Sequence, residues 1–229
     1  MRSPDWRLWR RLERVEEIVS RVLTRYGVMN PPRIGDPFKG LIRTILSQNT
    51  SRANTQAAYK RLESLIGVEP RRLAEASIEE IAEAIRPAGM HRQRAGVIKR
   101  VAELVLRRYG GDLKPLLDRP YEEARRLLME LPGVGRKTAD VVLLFEGGFR
   151  VLPIDRHIHR IAVRLGLVPR GADYDEVRGT LEAAASPERY LALHLALIRF
   201  GREICRARRP RCDACFLSDL CPGRASNPP

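Results

Sequence analysis

Apolar residues recur at helical spacing from one end of the chain to the other, and this limits the fold more than any other feature. Leu8, Leu12, Val15, Val19, Val22 and Tyr26 follow at alternating steps of four and three, drawing a stripe along one helix face that Gly27 stops. Asp36 is placed to cap a second helix, with Pro37 in its first turn and Phe38, Leu41, Ile42, Ile45 and Leu46 as its apolar residues. Further helices are predicted over 51–66, 77–86 and 91–109, the last ended by Gly110 and Gly111. Two more run from Tyr121 to Leu131 and from Arg136 to Phe145, joined by Pro132-Gly133-Val134-Gly135. Two or three follow Asp155, with Leu191, Leu195 and Ile198 lining one buried face. Alternating strand patterns are nearly absent, so the fold class is all-α. Ala225–Pro229 reads as a frayed tail.

With 229 residues the chain can bury the core of one large or two modest domains, so no disulfide framework is needed. Lys and Arg number 42 against 28 Asp and Glu, and a net charge of +14 points to a polyanionic partner, nucleic acid before any other. No apolar run is long enough to span a bilayer and no secretory segment follows Met1, so a membrane partner is not expected and an intracellular protein is. Of the 42 basic residues only Lys39, Lys60, Lys99, Lys114 and Lys137 are lysines, leaving 37 arginines. Arg cannot replace an amine nucleophile, because its guanidinium stays charged at any working pH.

Three stretches carry chemistry. In Leu131-Pro132-Gly133-Val134-Gly135-Arg136-Lys137-Thr138-Ala139-Asp140 the two glycines let the backbone turn tightly and lie against a phosphate. The N–H groups around Gly133, Val134, Gly135 and Arg136, at the start of the next helix, make a small anion site that positions one strand without reading a base. Glycine spacing alone fits an ordinary helix corner equally well. Lys137 falls in the first turn of that helix, where the helix dipole and Arg136 both disfavour its protonated form. Taken singly, Lys137 is a phosphate-contacting cation and Asp155 a helix N-cap. Cys205, Cys212, Cys215 and Cys221 are spaced C-x6-C-x2-C-x5-C, four thiolates able to wrap one [4Fe–4S] cluster or a tetrahedral zinc. Zinc ribbons favour two C-x2-C pairs and only one is present, which leans towards the cluster. Arg206, Arg208, Arg209 and Arg211 lie between the first two cysteines, in a loop held at both ends, where they would project towards phosphates.

The hairpin string, with its apolar continuation Val141-Val142-Leu143-Leu144, resembles the helix-hairpin-helix of the endonuclease III and adenine-glycosylase superfamily. The resemblance extends from Pro37 to Pro222. Leu46-Ser47-Gln48-Asn49-Thr50, Ile154-Asp155-Arg156-His157-Ile158 and the cysteine spacing stand in the family's order, and that spacing is the endonuclease III family's [4Fe–4S] motif. It implies a two-lobed glycosylase fold: a helical bundle over 29–149 with the helix-hairpin-helix at about 121–146, and a second lobe of 1–28 plus 150–229 with the cluster at 205–221. Lys137 and Asp155 are then the lyase pair, in the cleft between the lobes. The lysine amine attacks the sugar C1′, and the carboxylate stabilises the charge that develops there. Relatives that only remove bases usually have Ser or Tyr in place of Lys137, so the resemblance implies a glycosylase that also cuts the strand. It further implies that Gln48 fills the gap left by an extruded nucleotide, and that Met90, in Gly89-Met90-His91, wedges between bases.

The leading expectation is therefore a monomer, in the cytoplasm or nucleoid of a prokaryote, that acts on double-stranded DNA with a damaged base or abasic site. It removes oxidised or ring-saturated pyrimidines and cleaves by β-elimination. Removal of thymine or uracil from mismatches with guanine is the alternative. A non-catalytic iron-sulfur DNA-binding protein is a third, against which Lys137 and Asp155 argue. Arg156 stands where most relatives have a small polar residue, often Thr, and His159 is also unusual. Both flank Asp155, so they either reshape the lesion pocket, add a phosphate contact, or are plain variation on a helix surface.

Overall fold

The computed structural model describes residues 6–27 and 35–224, the side chains of 6–11 excepted. The tail Ala225–Pro229, the domain boundary at residue 29 and the side chain of Leu8 lie outside the described residues. Every regular element among the described residues is helical, and none of these helices is long and apolar enough to cross a membrane. The first, α1, is Trp6–Tyr26. The chain divides into two compact units, Pro32–Phe149 and Met1–Pro31 with Arg150–Pro229.

In the unit Pro32–Phe149, α2 (Pro37–Leu46) starts as its composition predicts: the Asp36 carboxylate accepts from the N–H groups of Phe38 and Lys39 at 3.0 and 3.1 Å, and Pro37 takes the first turn. Then come α3 (Arg52–Leu65), α4 (Pro70–Glu75), α5 (Ile78–Ala84), α6 (His91–Tyr109), α7 (Lys114–Leu117), α8 (Tyr121–Met129) and α9 (Arg136–Val142). The sequence pattern misses α4 and α7, which at six and four residues are too short to show a period; their only local signal is Pro70 or Pro115 in the first turn. The helix predicted to reach Phe145 leaves α geometry at Val142 and continues as a π turn over Leu143–Gly147, ended by Gly148 at φ 68°. Ala95, Ile98, Val101, Ala102 and Val105 form the buried stripe of α6, which packs on α4 and α5, while α2 packs on α9. Each buried Leu, Ile or Val contributes about 1.5–3 kcal/mol. Across the hairpin, α8 is joined to α9 by Asp140, which is fully buried and accepts from Arg125 Nε and Tyr121 Oη, both at 2.9 Å. Removing one partner of such a buried charge costs about 3–5 kcal/mol.

In the second unit α12 (Tyr190–Glu203) and α11 (Tyr174–Glu182) each pack against both α1 and α10 (Arg156–Arg164), around one apolar core. Val15, Ile18, Val19 and Val22 enter it from α1, and Ile158 and Ile161 from α10. On α12 the buried face is Leu193, Ala196, Leu197 and Phe200, whereas Leu191, Leu195 and Ile198, the residues expected there, are only partly buried. This helix is apolar at nearly every position from Tyr190 to Ile198, so periodicity could not select its inner face. The cysteine segment follows as three 3-10 turns, Cys212–Ala214, Ser218–Leu220 and Pro222–Arg224. Phe216 anchors it, with its ring 5.2 Å from that of Phe200 and 6.2 Å from that of Tyr26.

Candidate functional site

The hairpin between α8 and α9 is shaped from inside and open outside. Gly133 has φ +73° and a Cβ there would lie 2.8 Å from Val97 Cγ1, so both backbone and packing demand glycine. Gly135 differs: its backbone is ordinary, at φ −93° and ψ −179°, and a Cβ would meet nothing within 4 Å. Nothing internal requires glycine at this exposed position, which is what close approach by an outside group would require. No side chain caps α9 at Gly135, and among the described residues the N–H groups of Gly133 and Gly135 have no internal acceptor. Val134 departs from the sequence-based expectation. Its side chain is buried and its N–H closes the turn onto Leu131 O at 3.1 Å, so the two glycines flanking it carry the outward donors. Arg136 is exposed and Lys137 half-buried in the first turn of α9.

Gln48 is brought to the hairpin, its Nε2 donating to Gly133 O at 3.1 Å and Thr138 Oγ1 at 3.2 Å. Met90 stands at the N-cap of α6 with a left-handed backbone, φ 48°, after Gly89 at φ 72°, and is 58 % exposed. An exposed apolar side chain on a sparsely populated backbone conformation is no core filler. The sequence pattern overlooks Arg94, a buried residue of α6 whose guanidinium donates to Leu46 O, Ala88 O and Gln48 O at 2.8, 3.3 and 2.7 Å. The available signal was register: Arg94 shares the apolar stripe of Ile98, Val101 and Val105.

Asp155 is half-buried and caps α10, its Oδ1 accepting from the N–H groups of His157 and Ile158 at 2.8 and 2.9 Å. Among the described residues no hydrogen bond reaches Oδ2. The buried approach to it is pinned by Ile154 N–H donating to Tyr174 Oη at 3.2 Å and by His194 Nδ1, 2.9 Å from Pro153 O. His157 Nδ1 lies 3.1 Å from Arg160 Nη2. Burial pushes the His157 pKa down, and the Asp155 carboxylate opposes this while Arg160, Arg202 and Arg156 add to it. Because a guanidinium can only donate, His157 Nδ1 is the acceptor in this contact. Of the two unusual residues, Arg156 is exposed, whereas His159 turns inward with Nε2 2.9 Å from Ala172 O, a structural tie within its unit. Lys137 and Asp155 belong to different units.

The cysteine segment is laced to its unit by arginines. Arg164 Nη1 donates to Cys205 Sγ at 3.6 Å and to Arg206 O, while its Nη2 reaches Ala207 O. Arg160 donates to the carbonyls of Gly201 and Cys205, and Arg14 to those of Leu165 and Leu220. Gly223 allows the end of the loop to close, since a Cβ there would lie 2.7 Å from Arg164 O. Arg206, Arg208, Arg209 and Arg211 are all exposed.

Cys205, Cys212, Cys215 and Cys221 are unpaired thiols that line one cavity with Leu165, Phe200, Ile204 and Pro210. Burial raises the Cys215 and Cys221 pKa values, and the neighbouring thiols raise them further. Four thiolates at this spot need a positive centre among them. A single zinc would draw its sulfurs to about 2.3 Å from one point. The four thiols and their apolar-walled cavity accept a cluster or a single ion.

Comparison with known proteins agrees with this geometry. Residues 42–187 match the HhH-GPD superfamily of base excision DNA repair proteins, and residues 205–221 match the iron-sulfur binding domain of endonuclease III. Endonuclease III of Thermotoga maritima is 34% identical over 90% of this chain and 92% of its own length. That of Sulfolobus acidocaldarius is 37% identical over 80% and 81%. A solved structure of a trapped endonuclease III–DNA covalent intermediate superposes with a TM-score of 0.83 at 28% identity, covering 94% of this chain and 97% of the other. The hairpin, the thiol-lined cavity and these matches together make the chain a member of the endonuclease III family, a DNA-binding base excision repair glycosylase and abasic-site lyase with a [4Fe–4S] cluster.

Proposed function

We propose that this enzyme removes oxidised or ring-saturated pyrimidines from duplex DNA, with Lys137 as nucleophile and Asp155 as the carboxylate beside the reacting sugar. The observation that carries the reading is the placing of an amine, in a chain with five lysines to 37 arginines, in the first turn behind a hairpin whose glycine N–H groups have no internal acceptor among the described residues. Those groups, with Arg136, take the phosphate, Gln48 fills the vacated stack and Met90 wedges from the other side. As a neutral amine, Lys137 attacks C1′ and the C1′–N bond breaks, the base leaving with the bonding pair. The ring opens to an imine between C1′ and Nζ. Loss of a C2′ proton then expels the 3′ phosphate, and water hydrolyses the imine to free the lysine. Asp155, with Oδ1 anchored on its own helix, keeps Oδ2 for the ammonium proton and for the charge that grows on the sugar.

Cys205, Cys212, Cys215 and Cys221 would hold the cluster, which supplies no step of this reaction but holds the loop of Arg206, Arg208 and Arg209 for phosphate contact. The enzyme works as a monomer on the DNA of a prokaryotic cell. Borohydride trapping on duplexes carrying thymine glycol, an abasic site or a T·G mismatch tests the reading. A covalent adduct forms on thymine glycol and falls by on the order of 10³-fold or more in Lys137→Gln. Base loss at T·G without an adduct establishes a mismatch enzyme instead. Tight binding with neither base loss nor adduct on any duplex establishes a non-catalytic protein.

A further inference from the structure

We propose that Arg94 is a positioning residue for opening the duplex: its one guanidinium joins the segment bearing Gln48 to the turn bearing Met90, and so sets the spacing of the two groups that enter the stack. Three main-chain carbonyls from two separate places meet on it, Leu46 and Gln48 at the end of α2 and Ala88 just ahead of Met90. Arg94 is 6 % exposed, and burial lowers its pKa with no acidic partner to oppose it. Packing alone is better served by an apolar side chain, because a buried cation costs desolvation. What a guanidinium adds is a rigid planar fork that reaches several acceptors at fixed angles, which neither an ammonium nor an amide does. The final carbonyls of α2 also carry the negative end of its dipole, so the charge is met there without a carboxylate.

The two segments need such a tie. Asn49 and Met90 both have left-handed backbones, at φ 53° and 48°, so each chain turns away directly after the residue that Arg94 holds or beside it. Gln48 is held twice, by its carbonyl on Arg94 and by its side-chain amide on the hairpin. One buried side chain thus relates Gln48, Met90 and the phosphate-facing turn within a single unit.

This inference rests on the roles proposed above for Gln48 and Met90, and the test separates the two. Single-turnover cleavage of an abasic site is measured in duplex and in single-stranded DNA, since only the duplex has a stack to fill. Gln48→Ala and Met90→Ala each lower the duplex-to-single-strand ratio about tenfold or more, and Arg94→Gln does the same without touching DNA. Arg94→Lys, which keeps the charge and loses the fork, lowers it by about threefold or more, and decides alone if Arg94→Gln does not fold. Adding Met90→Ala to Arg94→Gln lowers the ratio little beyond the worse single variant, because both act through one wedge. A wild-type ratio in both Arg94 variants, or equal loss on both substrates, overturns the positioning role. A wild-type ratio in Gln48→Ala and Met90→Ala overturns the roles of those two residues instead.

Discussion

The starts of α9 and α10 are opposite in chemistry. At Gly135 no side chain caps the helix, the position is exposed and a Cβ would meet nothing. At Asp155 the helix is capped by its own carboxylate, which takes the N–H groups of His157 and Ile158. Among the described residues one terminus has donors without an internal acceptor, while the other has satisfied its own and presents a carboxylate. In the proposed function, phosphate is held where the protein supplies bare N–H groups and a positive dipole end. In the same proposal the sugar, which becomes positive during reaction, meets the terminus that carries the negative charge. The proposed function thus gives the two helix starts opposite roles through a single choice of N-cap residue.

Asp155→Asn breaks this comparison most sharply. Asn caps a helix as well as Asp, so the melting temperature hardly moves, while glycosylase and lyase rates fall by about 10²–10³. Asp155→Ala loses activity to a similar degree and also loses about 1 kcal/mol of stability with the cap. Equal activity in Asp155→Asn and the wild type would leave Asp155 as a cap alone.

Making the two termini alike has the next largest effect. The extended backbone of Gly135 accepts Asp, so Gly135→Asp caps α9 and gains a few tenths of a kcal/mol of stability. The same carboxylate occupies the phosphate donors, and duplex affinity falls about tenfold, with a salt slope about one unit shallower. Titration at several salt concentrations and a thermal melt read both. An affinity that stays level would remove phosphate from the hairpin.

The smallest effect is a pH dependence within α10. The folded pKa of His157 lies below its ordinary 6.5, so the unfolded chain takes up the proton first. This contribution to stability is complete above about pH 7 and declines as pH falls from about 6.5, levelling off below the folded value, with a slope of at most about 1.4 kcal/mol per unit. Chemical denaturation between pH 5 and 8 shows this slope in the wild type and a flatter one in His157→Gln, which has nothing to protonate.

How readily each feature is read from sequence follows how local its cause is. Asp36-Pro37, Gly110-Gly111 and the hairpin glycines act on their own backbone, and the structure has a cap, a stop and a turn where they stand. The inner face of α12 is different, because a run of apolar residues gives no period and only the packing of α1 and α10 chooses Leu193, Leu197 and Phe200. Val134 looked like a phosphate contact because it stands between two glycines, yet its N–H is spent on Leu131. Arg94 escaped notice because a charge is ordinarily placed outside. Ligand type and spacing leaned towards a cluster over zinc, and the match of residues 205–221 to the iron-sulfur binding domain of endonuclease III decided between them.

The sequence by itself determined the helical class, the two helix starts, the single amine of the hairpin and the four thiols of the cysteine segment. Each of these is a property of neighbouring residues, set by backbone sterics, capping or ligand type. Only the tertiary structure decided that Arg94 would brace two segments, that Arg164 would meet the sulfur of Cys205, and that His159 would face its own unit. Those contacts join residues far apart in the chain, and they exist because packing the apolar stripes leaves particular carbonyls and sulfurs within reach of particular side chains.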